Sequence, residues 1–136
     1  MNNLIQLLNI NKSFDNLKKI KVLKKISFNF TIGKIYSLIG PSGSGKSTLL
    51  NLLSLIDRPN SGSIIIDSKL INFKNSKEND LLRAKKIGII YQQDNLLPDF
   101  TALENVYLAS LAAGNNKKIS IFKAKNLLKK VGLTNR

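Results

Sequence analysis

Short apolar runs separated by polar or glycine-containing turns occur along much of the chain and predict strands. These runs cover residues 4–10, 26–30, 35–39, 64–66 and 87–91. A helix that is apolar on most sides is predicted over residues 49–56, starting near Lys46. It must end near residues 57–58, because Pro59 disfavours helix in the residue before it. Strands interspersed with helices predict an α/β fold.

The rest of the chain shows helical periodicity and capping signals. A weak helix is predicted over residues 77–85, and Thr101 with Glu104 forms a capping box that opens the next helix. A last amphipathic helix is predicted over residues 121–131, with Gly132 as its C-terminal stop. Turns or loops are predicted at residues 33–34, 59–62 and 114–118.

One run between the predicted strand over residues 35–39 and the helix after it matches the phosphate-loop pattern G-x-x-x-x-G-K-[ST] in full. Its residues are Gly40, Pro41, Ser42, Gly43, Ser44, Gly45, Lys46, Ser47 and Thr48. The alternative is a chance glycine-serine loop. A preceding strand and a following helix favour the phosphate loop, because that motif joins those two elements. The sequence therefore predicts a nucleoside triphosphate site.

Each part of this run suits the same ligand. Three glycines let the main chain curl around an anion and point successive N–H groups at a phosphate. Lys46 adds a cation, and Ser47 places a hydroxyl where a phosphate-bound Mg²⁺ would lie. The helix that starts near Lys46 directs its positive dipole end towards the same phosphates.

Length and composition limit the class of protein. A chain of 136 residues is predicted to form one domain at most, and it has no cysteine for disulfides or thiolate metal sites. It has no apolar run of the length that a bilayer span needs, which is about eighteen residues or more. The first residues show no basic leader and no small-residue cleavage site, so we expect a cytosolic chain.

The net charge of +14 raises the alternative of a nucleic-acid-binding protein. The basic residues are 19 Lys and only 3 Arg, scattered along the chain among 17 Asn and 17 Ile. That pattern is typical of a composition bias towards AT-rich codons, so we expect no nucleic-acid partner. The same excess is compatible with docking at an anionic cytoplasmic membrane face.

Beyond the phosphate loop, the runs over residues 87–92 and 96–106 carry a family resemblance. With that loop they resemble the nucleotide-binding subunits of ATP-binding-cassette (ABC) transporters. Within that family, residues 96–106 are most similar to the ATP-binding subunits of bacterial lipoprotein-releasing systems. The resemblance covers residues 4–136. It implies a P-loop NTPase fold of the ABC ATPase type, represented by an antiparallel β subdomain, part of the parallel core sheet and the start of the helical subdomain.

The resemblance also implies roles for residues outside the phosphate loop. Phe14 would stack on the adenine of ATP, with an ordinary aromatic at a sheet edge as the alternative. Gln92 would reach Mg²⁺ and the attacking water, because an amide can coordinate through oxygen and donate through nitrogen. Gln93 beside it leaves that assignment open. The implied cofactors are ATP and Mg²⁺.

Other parts of the family pattern are absent from this sequence. An ABC ATPase needs an apolar strand ending in Asp-Glu to hold Mg²⁺ and supply the general base. Asp67 ends such a run, but Ser68 follows it, and in the ABC family this stretch is an antiparallel strand with a turn, so the resemblance implies that Asp67 is a turn residue. The chain has no glycine-rich signature and no histidine. Residues 1–136 therefore look like a partial ABC ATP-binding domain, with its adenine, phosphate-loop (Walker A) and glutamine-loop regions only.

Several functions follow as expectations. By resemblance, the chain energises an ABC transporter through ATP hydrolysis, with release of lipoproteins as the expected process. Its partners would be membrane permease subunits and a second ATP-binding subunit, at the cytoplasmic face of the bacterial inner membrane. Alternatives are another export-type ABC transporter and a degenerate remnant without turnover. A small kinase is disfavoured because it needs arginines around the phosphoryl group, and only Arg58, Arg83 and Arg136 exist.

The missing parts also predict how the chain behaves alone. Two copies lack the signature motif and the general base, so we expect no ATPase activity from the isolated chain. In the ABC family, the core strand that leads into the phosphate loop is flanked by parallel strands that come largely from later sequence. The resemblance therefore implies that the run over residues 35–39 would lack some of its neighbours and that the helix over residues 49–56 would be uncovered. Bare apolar strand edges promote aggregation, so poor solubility or a molten state is expected.

Overall fold

The computed structural model describes residues 3–15 and 19–134, although the side chains of residues 15 and 19 are not described. Met1, Asn2 and Arg136, which entered the sequence-based arguments, lie outside the described residues. The chain forms two compact units, Met1–Asn79 and Asp80–Arg136. No helix in the described ranges is long and apolar enough to cross a bilayer.

The first unit is built on an antiparallel sheet of four strands in the order β2-β1-β3-β4. The strands are β1 (Asn3–Asp15), β2 (Lys19–Thr31), β3 (Ser61–Ile66) and β4 (Lys69–Leu70). Leu7 of β1 lies opposite Phe28 and Ile64, and the core side chains Leu7, Ile10 and Ile64 are fully buried. The strands predicted over residues 4–10, 26–30 and 64–66 are confirmed, and each extends beyond its predicted range.

The turn between β3 and β4 is made by Asp67 and Ser68. Both have positive φ, 51° and 63°, the backbone conformation of tight hairpin turns. The interpretation of Asp67 as a turn residue is therefore confirmed. The predicted turn over residues 59–62 is shorter than expected, because β3 already begins at Ser61.

Helix α1 (Lys46–Leu53) follows the phosphate loop and ends three residues before the predicted end. Its last turn is closed by Ser54, whose hydroxyl donates to the carbonyl oxygen of Leu50 over 2.7 Å. Leu55 then takes a left-handed conformation, with φ of 57°, which stops the helix before Pro59 can act. Leu52 and Leu55 are buried, whereas Leu50 is exposed.

Two predicted strands do not form. The structure assigns no strand to residues 35–39 or 87–91, and no parallel strand pair occurs within the described ranges. Ile35 and Ile90 are fully exposed. Both runs have the apolar composition of buried parallel strands, but a strand needs neighbours to receive its N–H and C=O groups. Local composition predicted these strands, and the missing neighbours explain why the prediction was wrong.

Three helices complete the structure: α2 (Ser76–Lys86), which spans the boundary between the units, α3 (Ala102–Ala112) and α4 (Lys117–Lys130). The α3 and α4 helices pack on each other in the second unit. The predicted capping box at the start of α3 is confirmed. Helix α4 starts earlier than predicted, because the side chain of Asn116 caps it by accepting from Ile119 N–H over 2.9 Å.

Candidate nucleotide-binding site

The phosphate-loop residues form an irregular segment that leads directly into α1. Gly43 and Gly45 have φ of 77° and 91°, a region that residues with a Cβ atom rarely occupy. The two glycines reverse the chain so that it enters α1 from a curled loop.

Gly45 is also held close to the sheet. A Cβ atom at this position would lie 2.9 Å from Cγ1 of Val22 and 3.2 Å from Cδ2 of Leu23. The glycine therefore lets β2 pack directly against the start of α1. Val22 could not be identified from the sequence, because nothing in the local pattern of β2 indicates which helix end this residue will meet.

The N-terminus of α1 has no internal compensation for its dipole. Its cap residue, Gly45, has no side chain to accept from the first N–H groups, and the first turn contains no acidic residue. It contains the cation Lys46 instead, which is unfavourable beside the positive end of a helix. Within the described residues, the N–H groups of Lys46, Ser47 and Thr48 donate to no protein oxygen. This end of α1 is suited to an anion.

The ammonium group of Lys46 folds back onto the loop. Its Nζ donates to the carbonyl oxygens of Gly40 and Pro41 over 2.8 Å and 2.7 Å. The N–H of Ser44 also donates to Pro41, over 3.3 Å. These bonds close the loop on itself and hold the ammonium at its inner side.

A cleft of about 490 Å³ lies over the loop. It is lined by Val22, Ser42, Gly43, Gly45, Lys46, Ser47 and Thr48. All of these except Val22 were predicted site residues, while Gly40 and Pro41 support the cleft through their bonds to Lys46. The volume is within the range of small-ligand sites, and the hydroxyl of Ser47 supplies an oxygen of the kind that Mg²⁺ prefers. The residues present fit a triphosphate with its magnesium ion.

Tyr36 anchors the segment that leads into the loop. Its hydroxyl oxygen accepts from Thr31 N–H over 2.9 Å, and its ring makes edge contacts with Phe28 and Phe30 at 5.6 Å and 5.1 Å between centroids. Hydrogen bonding to Thr31, aided by the charge of Lys34, holds the pKa of Tyr36 below its usual value of 10.0. Tyr36 lies inside a predicted strand, and nothing in the local sequence indicates this anchoring role.

Phe14 lies on β1 opposite Ile20, with 41% of its surface exposed. It does not line the cleft over the phosphate loop. The Nζ atom of Lys12 lies over the Phe14 ring, 5.1 Å from its centroid. The exposed ring is compatible both with stacking on a base and with the alternative of an edge aromatic.

Gln92 belongs to the second unit, in a bend that follows residues 87–91. Gln92 and Gln93 are both exposed. Both glutamines therefore remain candidates for the residue that would reach Mg²⁺ and the attacking water.

Comparison with known sequences identifies the family. The sequence profile of ABC transporters matches residues 23–136. The lipoprotein-releasing system ATP-binding protein LolD of Saccharophagus degradans is 40% identical over 133 residues, which are 97% of this chain and 58% of that protein. LolD of Bacteroides thetaiotaomicron is 41% identical, over 98% of this chain and 60% of its own length. The macrolide export ATP-binding/permease protein MacB of Mannheimia succiniciproducens is 42% identical over 132 residues.

Solved structures give the same result. The dimeric ATP-binding cassette MJ0796, in a post-hydrolysis state bound to ADP and Pi, superposes with a TM-score of 0.81 at 36% identity. The match covers 92% of this chain and 56% of that one, so the chain spans somewhat more than half the length of its relatives. The glycine loop at the start of α1, the family profile and the shared fold agree: the chain belongs to the ABC transporter family, and its fold is that of part of an ABC ATPase.

Proposed function

We propose that the chain binds ATP with Mg²⁺ and is the ATP-binding part of a transporter that releases lipoproteins from the inner membrane. The observation that carries the proposal is the N-terminus of α1, which lacks any acidic group, bears Lys46 and is wrapped by a glycine loop. The names of the LolD relatives support the choice of lipoprotein release. The MacB relative favours another export-type ABC transporter as the second candidate.

In this proposal the main chain does most of the binding. The free N–H groups at the start of α1 donate to the phosphates, and Lys46 exchanges its loop carbonyls for phosphate oxygens. Ser47 would supply one oxygen to Mg²⁺, and the bound ion would neutralise phosphate charge. Phe14 stacks on the adenine, and Gln92 orients a water near the γ-phosphate.

Turnover needs groups that this sequence does not contain. It has no Asp-Glu pair after an apolar strand, no glycine-rich signature and no histidine. We therefore expect the chain alone to bind ATP without hydrolysing it, because nothing deprotonates and aligns the attacking water. The alternative is a remnant that binds nucleotide without any role in transport. An adjacent coding sequence that contains the Asp-Glu pair and the glycine-rich signature would favour the transporter function over the remnant.

The proposed partners are permease subunits in the membrane and a second ATP-binding subunit. The related MJ0796 cassette is described as dimeric, which supports the second of these. The proposed location is the cytoplasmic face of the inner membrane, and the net charge of +14 is compatible with docking at that anionic surface. No nucleic-acid partner is proposed.

The decisive experiment is an equilibrium titration of ATP against the Lys46→Ala variant. Each charge-assisted phosphate contact that is lost is worth about 1.5–3 kcal/mol, so we expect affinity to fall by about tenfold or more. Lys74→Ala is the matched control: Lys74 is an exposed lysine of the same unit, and its side chain bonds to none of the residues that the structure describes. Unchanged ATP affinity in Lys46→Ala, with both variants folded, would refute the proposed site.

A further inference from the structure

Lys12 is a buried lysine near the C-terminal end of β1. Only 8% of the residue is exposed, and lysine is almost never buried unless its charge is paired. Its Nζ donates to Oδ1 of Asp57 over 2.7 Å and to the carbonyl oxygen of Arg58 over 2.8 Å. The same Nζ lies over the ring of Phe14. One ammonium group therefore contacts three partners from two segments of the first unit.

The residues that Lys12 binds belong to the connection between α1 and β3. The N–H of Asp57 donates to the carbonyl oxygen of Asn51 over 3.2 Å, which ties this connection to the last turns of α1. Asn60 binds β1 directly, because its N–H donates to Asn11 and its side-chain oxygen accepts from Ser13 N–H over 2.6 Å. The connection is thus fixed to β1 on both sides of Lys12.

This arrangement links the two proposed contact points of a nucleotide. Helix α1 begins at the phosphate loop, and the connection that follows its other end is bonded to Lys12 through Asp57 and Arg58. Phe14 lies two residues further along the same strand and has the ammonium over one face of its ring. A cation over one face withdraws π density from the other, which favours stacking of a π-rich base on the ring.

We propose that Lys12 is a positioning residue for base recognition. Its buried ammonium holds the ring of Phe14 at a set position relative to the helix that carries the phosphate loop. This inference rests on the proposed nucleotide function. It adds that Lys12 sets the preference of the site for a nucleotide over a triphosphate that has no base. The competing explanation is that Lys12 only stabilises the fold.

The two explanations differ in the ratio of two affinities. Inorganic tripolyphosphate has the phosphates of ATP without the base, so a change at Phe14 alters ATP binding and leaves tripolyphosphate binding unchanged. Phe14→Leu removes the aromatic face on which the base would stack, and we expect it to lower the preference for ATP about tenfold. Lys12→Met is expected to lower it about threefold, the weaker effect of a lost cation–π contact.

A double-mutant cycle tests whether Lys12 acts through Phe14. In the Phe14→Leu background, Lys12→Met is expected to cause no further change in the preference for ATP. Lys12→Arg keeps the cation and is expected to retain the preference within about twofold. Lys24→Met is the matched control, because Lys24 is an exposed lysine of the neighbouring strand. Equal weakening of ATP and tripolyphosphate by Lys12→Met would overturn the inference.

A replacement variant and a measurement on the unmodified chain complete the test. If Lys12→Met fails to fold, Asp57→Asn removes the paired charge at a partly exposed side chain, and a preference for ATP unchanged in that variant overturns the inference. If the unmodified chain binds neither ATP nor tripolyphosphate, the nucleotide function fails and the inference fails with it. A normal preference for ATP that is insensitive to Lys12 overturns the inference alone.

Discussion

At the scale of single residues, Gly45 serves two structural purposes at once. Its φ of 91° turns the chain into α1, and its lack of a Cβ atom lets Val22 of β2 pack against the helix start. The motif predicts a glycine there because of the positive φ. Only the folded structure shows the close approach of Val22, because Val22 is 23 positions away in sequence.

Gly45→Ala is expected to weaken ATP binding about tenfold or more. The new methyl group would meet Val22 at 2.9 Å and push the helix start away from its position. Gly33→Ala is the matched control, since Gly33 also has positive φ, 74°, but a Cβ atom there meets nothing within 4 Å. Equilibrium titration of both variants with ATP measures the difference, and equal affinities would show that crowding at Gly45 does not matter.

At the scale of elements, the start of α3 forms the capping box that its local sequence predicts. Thr101 Oγ1 accepts from Glu104 N–H over 3.2 Å, and Glu104 Oε2 accepts in return from Thr101 N–H over 2.8 Å. These bonds involve residues only three positions apart, so the sequence alone predicts them. The bonds from Thr101, aided by the charge of Lys117, hold the pKa of Glu104 below its usual value of 4.5.

The lowered pKa makes the start of α3 sensitive to acid. A carboxylate whose pKa is lower in the folded state stabilises that state above its unfolded pKa, and this contribution disappears as pH falls through the folded value. We expect amide exchange in the first turn of α3 to accelerate as pH falls below 4.5, the usual pKa of a glutamate, after correction for intrinsic exchange rates. Glu104→Gln should remove this pH dependence, and Asp99→Asn, an exposed control just before the cap, should retain it. A pH dependence that persists in Glu104→Gln would contradict the assignment.

At the scale of the whole molecule, the described residues lack the part of a parallel sheet that the family resemblance implied. Residues 35–39 and 87–91 have the composition of buried strands, yet Ile35 and Ile90 are fully exposed. Leu50 and Ile56 around α1 are also exposed. Large exposed apolar groups without a covering element are typical of interaction sites or aggregation-prone states.

We therefore expect the isolated chain of 136 residues to unfold over a broad range of temperature and to bind an apolar dye such as anilinonaphthalene sulfonate under native conditions. The physical reason is that its unpaired apolar runs contribute no cooperative packing. Calorimetry and dye fluorescence check this expectation. A sharp transition, with equal calorimetric and van't Hoff enthalpies and no dye binding, would contradict it.

The sequence by itself determined the features that depend on residues close together in the chain. These are the phosphate-loop motif, the capping box of α3 and the amphipathic α4, because each needs only local backbone geometry and nearby side chains. Tertiary structure decided which residues meet across the fold. It brought Val22 against Gly45, bonded Lys12 to Asp57, and left residues 35–39 without a strand partner. Pairing depends on which segments are neighbours in space, and no local pattern contains that information.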